Sequence, residues 1–485
     1  MSQRLKICLA ASEAAPFAKT GGLADVTGAL ARHLDAQGHD ARLFLPFYSK
    51  IDRRGGGFTP VSFIQNVGCP LAGRVLRFSL WTTRIPGTDT VLYLVDCPAL
   101  FHRSGIYTAG TEEPLRFAFF TRAVIESCQR MGWGPDVFHL NDWHTALLPL
   151  YLRTVYAWDA LFRRSRTLLT IHNVGYQGVF PQAILDALGL AEHVDLLWRE
   201  DLDAGHFGFL KTGILYADML STVSPNHAAE IRTPDYGMGL DILLRERADH
   251  LVGILNGVDY HDWDPWTDPY LPYRYSADDL AGKRRTRDHL LARLGLAPDP
   301  VAPVLGIVSR LVKQKGFELL FDVLPQALGH HDLRLLALGS GEELYERFFT
   351  ALQRAFPDRV CYHQGYHDEL AHLIEAAADV FLMPSLYEPC GLNQMYSLRY
   401  GTPPLVRRTG GLADSVEPWD GTKGTGFVFE HFTADSFARA LQQALTSFAD
   451  QTGWRQLLEN GMRRDFSWDR QTAEYIGLYQ RLQAS

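Results

Sequence analysis

The sequence predicts an α/β chain built from two doubly wound halves, each around a parallel sheet. Three observations lead there. The chain has 485 residues, too many for one hydrophobic core, so two domains of roughly 200–250 residues are expected. Short apolar runs alternate with stretches of helical period along most of its length, the rhythm of strand, loop and helix that makes a parallel sheet. The rhythm stops over residues 256–279 and then starts again.

The elements follow in order. "LKICLAAS" reads as a first buried strand; Glu13 soon interrupts the apolar run, so a signal peptide is the weaker reading. "GLADVTGALARHLDAQG" is a helix, with Leu23, Val26, Leu30 and Leu34 on one face and Gly38 placed as its C-terminal cap. "DARLFLP", "TVLYLVD", "DVFHLND" and "RTLLTIHN" are further strands ending in polar residues. In the second half, "VLGIVSR", "LRLLALGSG", "RVCYHQGY", "DVFLMPS" and "PPLVRRTGG" are strands. They alternate with helices over "FELLFDVLPQAL", "EELYERFFTALQRAF", "DELAHLIEAA" and Leu392 to Tyr400. Both halves are therefore Rossmann-like. The expected division is residues 1–255, a crossing at 256–279 rich in Pro, Asp and aromatics, a second domain at 280–466, and a last helix at 467–485 packing back toward the first domain. Ligands of open α/β sheets lie at the carboxyl ends of the strands, so the chemistry belongs in the cleft between the halves.

Composition narrows the function. A net charge of −8 argues against nucleic-acid binding, which favours a basic surface. Nothing in the sequence suggests a membrane span. The six cysteines are far apart, with no C-x-x-C pair, as expected of reduced thiols in a cytoplasmic protein.

Six loops carry candidate chemistry. The hexapeptide TGGLAD occurs twice, at Thr20–Asp25 and Thr409–Asp414. Each copy follows a strand and opens a helix, so each is either a plain turn or a place where backbone amides approach an anion. Lys19 adds a cation before the first copy, and arginines precede the second. "SRLVKQKG" places Arg310 and Lys315 at a strand end beside a helix start, a diphosphate clamp or a pair of solvated charges. In "YEPCGLNQ", Glu388 can accept hydrogen bonds from sugar hydroxyls, amides from Gly391 onward can face phosphate, and Cys390 reads as packing because it has no partner base. "HLNDWH" and "TIHN" bring Asp142, His144 and His172 to strand ends. These suit a carbohydrate; a metal site there lacks the usual ligand spacing.

Together these motifs resemble glycosyltransferase family 5, the bacterial glycogen synthases and plant starch synthases. K-T-G-G-L, S-R-L-x-x-x-K-G, E-P-C-G-L and the late T-G-G-L occur in family order, and the likeness spans essentially the whole chain. The resemblance implies the GT-B fold, with two Rossmann-like domains facing a deep cleft. It also implies retaining transfer of glucose from ADP-glucose to the non-reducing end of an α-1,4-glucan, glycogen or a maltooligosaccharide, with no metal or other cofactor. The roles it implies are catalytic for Lys19, His172, Arg310, Lys315 and Glu388. It places Gly21, Gly22, Asp25, Asn256, Cys390, Gly391, Leu392 and Asn393 near the donor, Asp142 on the acceptor side, and Glu13 and Tyr107 as weaker substrate contacts. Three positions depart from the pattern or from related enzymes: His227 stands for a tyrosine, Asn393 for a frequent threonine, and Tyr396 where many retaining GT-B enzymes have a second glutamate. The remaining alternatives are another GT-B nucleotide-sugar enzyme and a glucan-binding protein without activity; a phosphorylase fits poorly, since no lysine suits pyridoxal phosphate. The absence of a transit peptide points to a bacterial enzyme.

Overall fold

The computed structural model describes residues 4–484 apart from positions 54, 56, 109 and 298. Positions 1–3 and 485, at the outer ends of the first and last expected segments, lie outside the described residues. The chain forms two compact units. The first comprises Met1–Val223, Ala228–Ile254 and Trp468–Ser485; the second comprises Ser224–His227 and Leu255–Ser467.

The first unit holds strands β1 (Lys6–Ala10), β2 (Asp40–Pro46), β3 (Thr59–Pro60), β4 (Val67–Leu71), β5 (Arg74–Arg84), β6 (Val91–Asp96), β7 (Val137–Asn141), β8 (Arg166–Ile171), β9 (Val179–Pro181), β10 (His206–Gly208), β11 (Met219–Thr222) and β12 (Leu251–Gly253). Its main sheet runs β12-β11-β8-β7-β1-β2-β6-β5-β3, with β4 also on β5. From β12 to β6 every pairing is parallel. The expected parallel sheet is thus present but has an antiparallel extension: β5 pairs antiparallel with β6, and β3 and β4 with β5. In "RVLRFSLWTTR" Leu76, Phe78 and Leu80 are buried on alternate positions, the period of a sheet with one solvated face.

The helix Gly22–Ala36 buries Leu23, Val26, Leu30 and Leu34, and Gly38 beyond it sits at φ +90°. The last helix, Trp468–Ala484, is part of this same core. Tyr475, Leu478, Tyr479 and Leu482 are buried there, and the Tyr479 hydroxyl lies 2.7 Å from His139 Nδ1 in β7.

The second unit holds β13 (Val304–Val308), β14 (Arg334–Gly339), β15 (Val360–Gln364), β16 (Val380–Met383), β17 (Pro404–Arg407) and β18 (Phe427–Phe429). All six are parallel, in the order β15-β14-β13-β16-β17-β18. The interiors of β13, β14 and β16 are almost wholly buried apolar residues, as expected where helices cover both faces. The helix expected from Phe317 opens with a 3₁₀ turn at Phe317–Leu319 and becomes α-helical at Leu320–His330.

In each unit the strand order reverses beside the first strand: between β1 and β7, and between β13 and β16. The loops leaving those four strands flank the position where open α/β sheets hold ligands. Among the described residues no helix is long and apolar enough to cross a membrane.

Candidate active site

In the first unit the loop after β1 is organised by Glu13, which is buried. Its carboxylate accepts hydrogen bonds from the Thr20 amide, the Thr20 hydroxyl (2.7 Å), the Gly21 amide (3.2 Å) and the Tyr107 hydroxyl (2.5 Å). Ser12 Oγ lies 2.9 Å from the same hydroxyl. Burial and the Glu13 charge raise the Tyr107 pKa, so the phenol stays a donor. Sequence reasoning placed Glu13 and Tyr107 against substrate and the Gly21 amide against an anion. Here Glu13 holds the loop together and already occupies the Gly21 amide. Lys19 stands at the loop surface, 47% exposed, with its ammonium 2.7 Å from Asp25. Two residues expected near the donor therefore meet each other.

The loops after β7 and β8 meet around Asp142 and His172. Asn141 Nδ2 donates to the Ala10 carbonyl (3.1 Å), which turns its Oδ1 toward His172; Nε2–H of His172 donates to that oxygen at 2.9 Å. Burial lowers the His172 pKa to about 3. The ring is thus neutral, its tautomer fixed, with Nδ1 left to accept. Asp142 Oδ1 accepts from the His172 amide at 2.7 Å. Burial raises the Asp142 carboxyl to about 7, against the lowering effect of the His172 and Asn173 amides. Its backbone, at φ +55° and ψ −173°, costs a non-glycine residue about 1–3 kcal/mol. Such strain is stored where a side chain must be aimed.

His144 sits among aromatic rings. Its ring packs against Tyr107 (5.0 Å), Trp143 (4.1 Å) and Phe117 (4.5 Å), and burial lowers its pKa to about 3. Among the described residues no group of three or more His, Cys, Asp or Glu side chains could hold a metal ion.

In the second unit the loops after β13 and β16 are laced together. The Leu386 amide donates to the Gln314 carbonyl (2.9 Å), and Gln314 Nε2 donates to the Tyr387 carbonyl (3.3 Å). A Cβ on Gly316, at φ +69°, would run into the Pro384 carbonyl, so only glycine permits this approach. Lys315 Nζ and Glu388 Oε2 are 2.5 Å apart, with side chains 18% and 7% exposed. Ser385 Oγ donates to the same Glu388 oxygen at 3.1 Å. Arg310 is exposed at the end of β13, and among the described residues its guanidinium has no ion-pair partner. The structure therefore joins the two residues the sequence assigned to diphosphate and sugar, while Arg310 is a second cation on the loop that leaves β13.

The turn after Glu388 continues the site. Asn393 Nδ2 donates to the Val308 carbonyl at 2.9 Å, so this side chain fastens the helix Asn393–Arg399 to the end of β13. Leu392 and Gly391 precede that helix and are half-buried. Asn256 is buried and bonds to Cys390 through both its backbone and side chain. Burial raises the Cys390 thiol to about 12, so the thiol is inert as a nucleophile. Arg407 and Arg408, counted as charges before the second TGGLAD, are committed elsewhere: Arg407 donates to the Leu386 carbonyl and Arg408 to Glu430 at 2.6 Å.

Sequence reasoning missed Asn141, Ser385 and Gln394. Each is polar and supports a neighbour rather than facing a ligand. Their signal was a polar residue inside a strand-end motif, indistinguishable by type from a solvated one.

Comparison with known proteins sets this geometry in context. Residues 6–246 match the family model described as the starch synthase catalytic domain, and residues 296–456 match that of glycosyl transferases group 1. A glycogen synthase of Anaeromyxobacter dehalogenans is 45% identical over 485 residues, covering 99% of each chain. A glycogen synthase of Koribacter versatilis is 43% identical over 486 residues, covering 98% of each. Among solved structures, the catalytic domain of starch synthase IV from Arabidopsis thaliana, bound to ADP and acarbose, is 32% identical. It superposes with a TM-score of 0.92 and covers all of both chains.

Proposed function

Since this chain belongs to the starch and glycogen synthase family and is a glycosyltransferase of GT-B fold, we propose that it elongates an α-1,4-glucan with glucose from ADP-glucose, retaining configuration. The observation that carries the residue assignment is the Lys315–Glu388 pair, held at 2.5 Å by the loops after β13 and β16, where the strand order reverses.

The donor already carries a good leaving group, so catalysis must stabilise charge on the departing diphosphate. Lys315 and Arg310 supply two cations at one strand end, and family likeness gives Lys19 a catalytic role as well. Glu388, an acceptor only when ionised, orients the glucose hydroxyls. His172 has an unprotonated Nδ1 that can accept from a sugar hydroxyl, and Asp142 serves the acceptor glucan. Asn256 and Cys390 shape the wall behind Glu388, while Gly22, Gly391, Leu392 and Asn393 let backbone approach the donor. The bond from glucose C1 to the diphosphate oxygen breaks. A bond from C1 to the acceptor 4-oxygen forms on the same face, and the hydroxyl proton passes to a phosphate oxygen. Glu388 has Lys315 as its close charged partner rather than the second carboxylate of a retaining glycosidase.

The decisive assay incubates the protein with glycogen and ADP-glucose or UDP-glucose and follows nucleotide release and chain growth. Growth with ADP-glucose exceeding that with UDP-glucose supports this reading. Nucleotide-sugar turnover without chain growth would favour another GT-B reaction, and binding of glycogen without turnover an inactive binder. We also place the protein in the cytoplasm, where its six free thiols suit a reducing milieu.

A further inference from the structure

Gln394 is the second residue of the helix Asn393–Arg399, and its side chain is completely buried. Nε2 donates to the Cys390 carbonyl (3.0 Å), the Gly391 carbonyl (3.1 Å) and Ser415 Oγ (3.0 Å). Ser415 directly follows the second TGGLAD and donates in turn to the Gly411 carbonyl at 2.6 Å. The Gly411 amide donates back to the Glu388 and Pro389 carbonyls, both at 3.1 Å. The circuit is closed: Glu388 turn, Gln394, Ser415, Gly411, Glu388 turn. Gly410 completes the fit, since at φ +44° a Cβ there would collide with the Glu388 carbonyl.

Packing alone does not call for an amide here. Gln394 Oε1 is buried and, among the described residues, has no hydrogen-bond partner, which is unfavourable. A leucine or methionine of similar volume would avoid that penalty. What only the amide provides is its donors to two successive carbonyls of the turn that carries Glu388. On the other side, Arg407 and Gln314 grip the Leu386 and Tyr387 carbonyls. Glu388 is therefore set by braces before and after it.

We propose that Gln394 is a positioning residue for the Glu388 carboxylate, acting through the Ser415 brace that ties the Glu388 turn to the second TGGLAD loop. This rests on the reading that Glu388 meets the donor glucose. Misplacing a positioning group by about an ångström can cost on the order of 100-fold in rate, so a loosened turn should lower kcat more than it weakens binding.

The test compares Gln394→Ala, Gln394→Glu, Ser415→Ala and the Gln394→Ala/Ser415→Ala double variant with the wild type. Each single variant should lower kcat by about tenfold or more while KM for ADP-glucose and glycogen stays within about threefold. The double should be no worse than Gln394→Ala, because both changes break one circuit. Gln394→Glu, which keeps the volume and loses the donors, should be as impaired as Gln394→Ala. Ser415→Thr, which keeps the hydroxyl, should recover most of kcat. A scaffold without a positioning role would lower the melting temperature and leave kcat per folded molecule unchanged; that result overturns the proposal, as do independent, multiplying effects of the two sites. Should Gln394→Ala not fold, Ser415→Ala decides: unchanged kcat overturns the proposal. Hydrogen exchange separates this outcome from failure of the proposed reaction. Exchange at Gly411 should quicken several-fold in the variants even if no transfer of glucose is detected, and unchanged exchange there refutes the brace.

Discussion

Lys315 and Glu388 form one contact that the proposed reaction would use for both diphosphate and sugar. An ammonium and a carboxylate at 2.5 Å neutralise each other until a diphosphate, with more negative charge, competes for the cation. Lys315→Ala should lower kcat/KM by at least about 100-fold, roughly 3 kcal/mol of transition-state stabilisation; near-normal steady-state kinetics in that variant would remove Lys315 from the clamp. Asp142 gives a pH signature. Its folded pKa, raised to about 7 from 3.8, means the native state holds a proton the unfolded chain releases. The resulting stability is complete below about pH 4 and is lost as pH rises toward 7. Melting temperatures measured from pH 5 to pH 8 should fall less for Asp142→Asn than for wild type; parallel profiles would show that Asp142 does not titrate there. At this scale the sequence singled out Lys19, Arg310, Lys315 and Glu388 as candidates, because they stand in turn motifs at strand ends. It hid their supports. Residue type does not show that the Glu13 carboxylate accepts from Thr20, Gly21 and Tyr107, or that Gln394 donates into the turn after Glu388, because hydrogen-bond direction is absent from it.

At the scale of elements, the two TGGLAD turns share letters and little else. Gly21 is extended, at φ −161°, with nothing within 4 Å of where a Cβ would sit. Gly410 is at φ +44°, pressed on the Glu388 backbone. Gly21→Ala should therefore change stability by less than about 1 kcal/mol, and a loss of activity without a loss of melting temperature would locate a ligand at that backbone. Gly410→Ala should destabilise by about 2 kcal/mol or more, through strain and collision together. Thermal melts of the two variants check both, and equal melting temperatures would contradict the contrast. The parallel strands and their flanking helices were legible because buried strands form unbroken apolar runs bounded by turns. The antiparallel β3–β5 extension escaped notice because it follows a glycine-rich stretch and its alternation fades over Trp81, Thr82 and Thr83.

At the scale of the whole molecule, the chain passes from the first unit to the second and returns for its last helix. Trp468, Tyr475, Ile476, Leu478, Tyr479 and Leu482 are buried in that return. Each such side chain withdrawn from water is worth about 1.5–3 kcal/mol, so together they rival the 5–15 kcal/mol that typically holds a domain folded. A chain ending at Ser467 should lose cooperative melting of the first unit while the second keeps its own. Calorimetry checks this, and an unchanged first transition would show the helix to be dispensable.

That return path also sets a timetable for synthesis. The strands of the first unit leave the ribosome early, yet their last covering segment is translated some two hundred residues later. At about 5–20 residues per second, the nascent first unit waits on the order of ten seconds or more with the surface meant for Tyr475 and Tyr479 uncovered. In that interval it is a natural client for chaperones, and a message truncated near its end yields no half-working product.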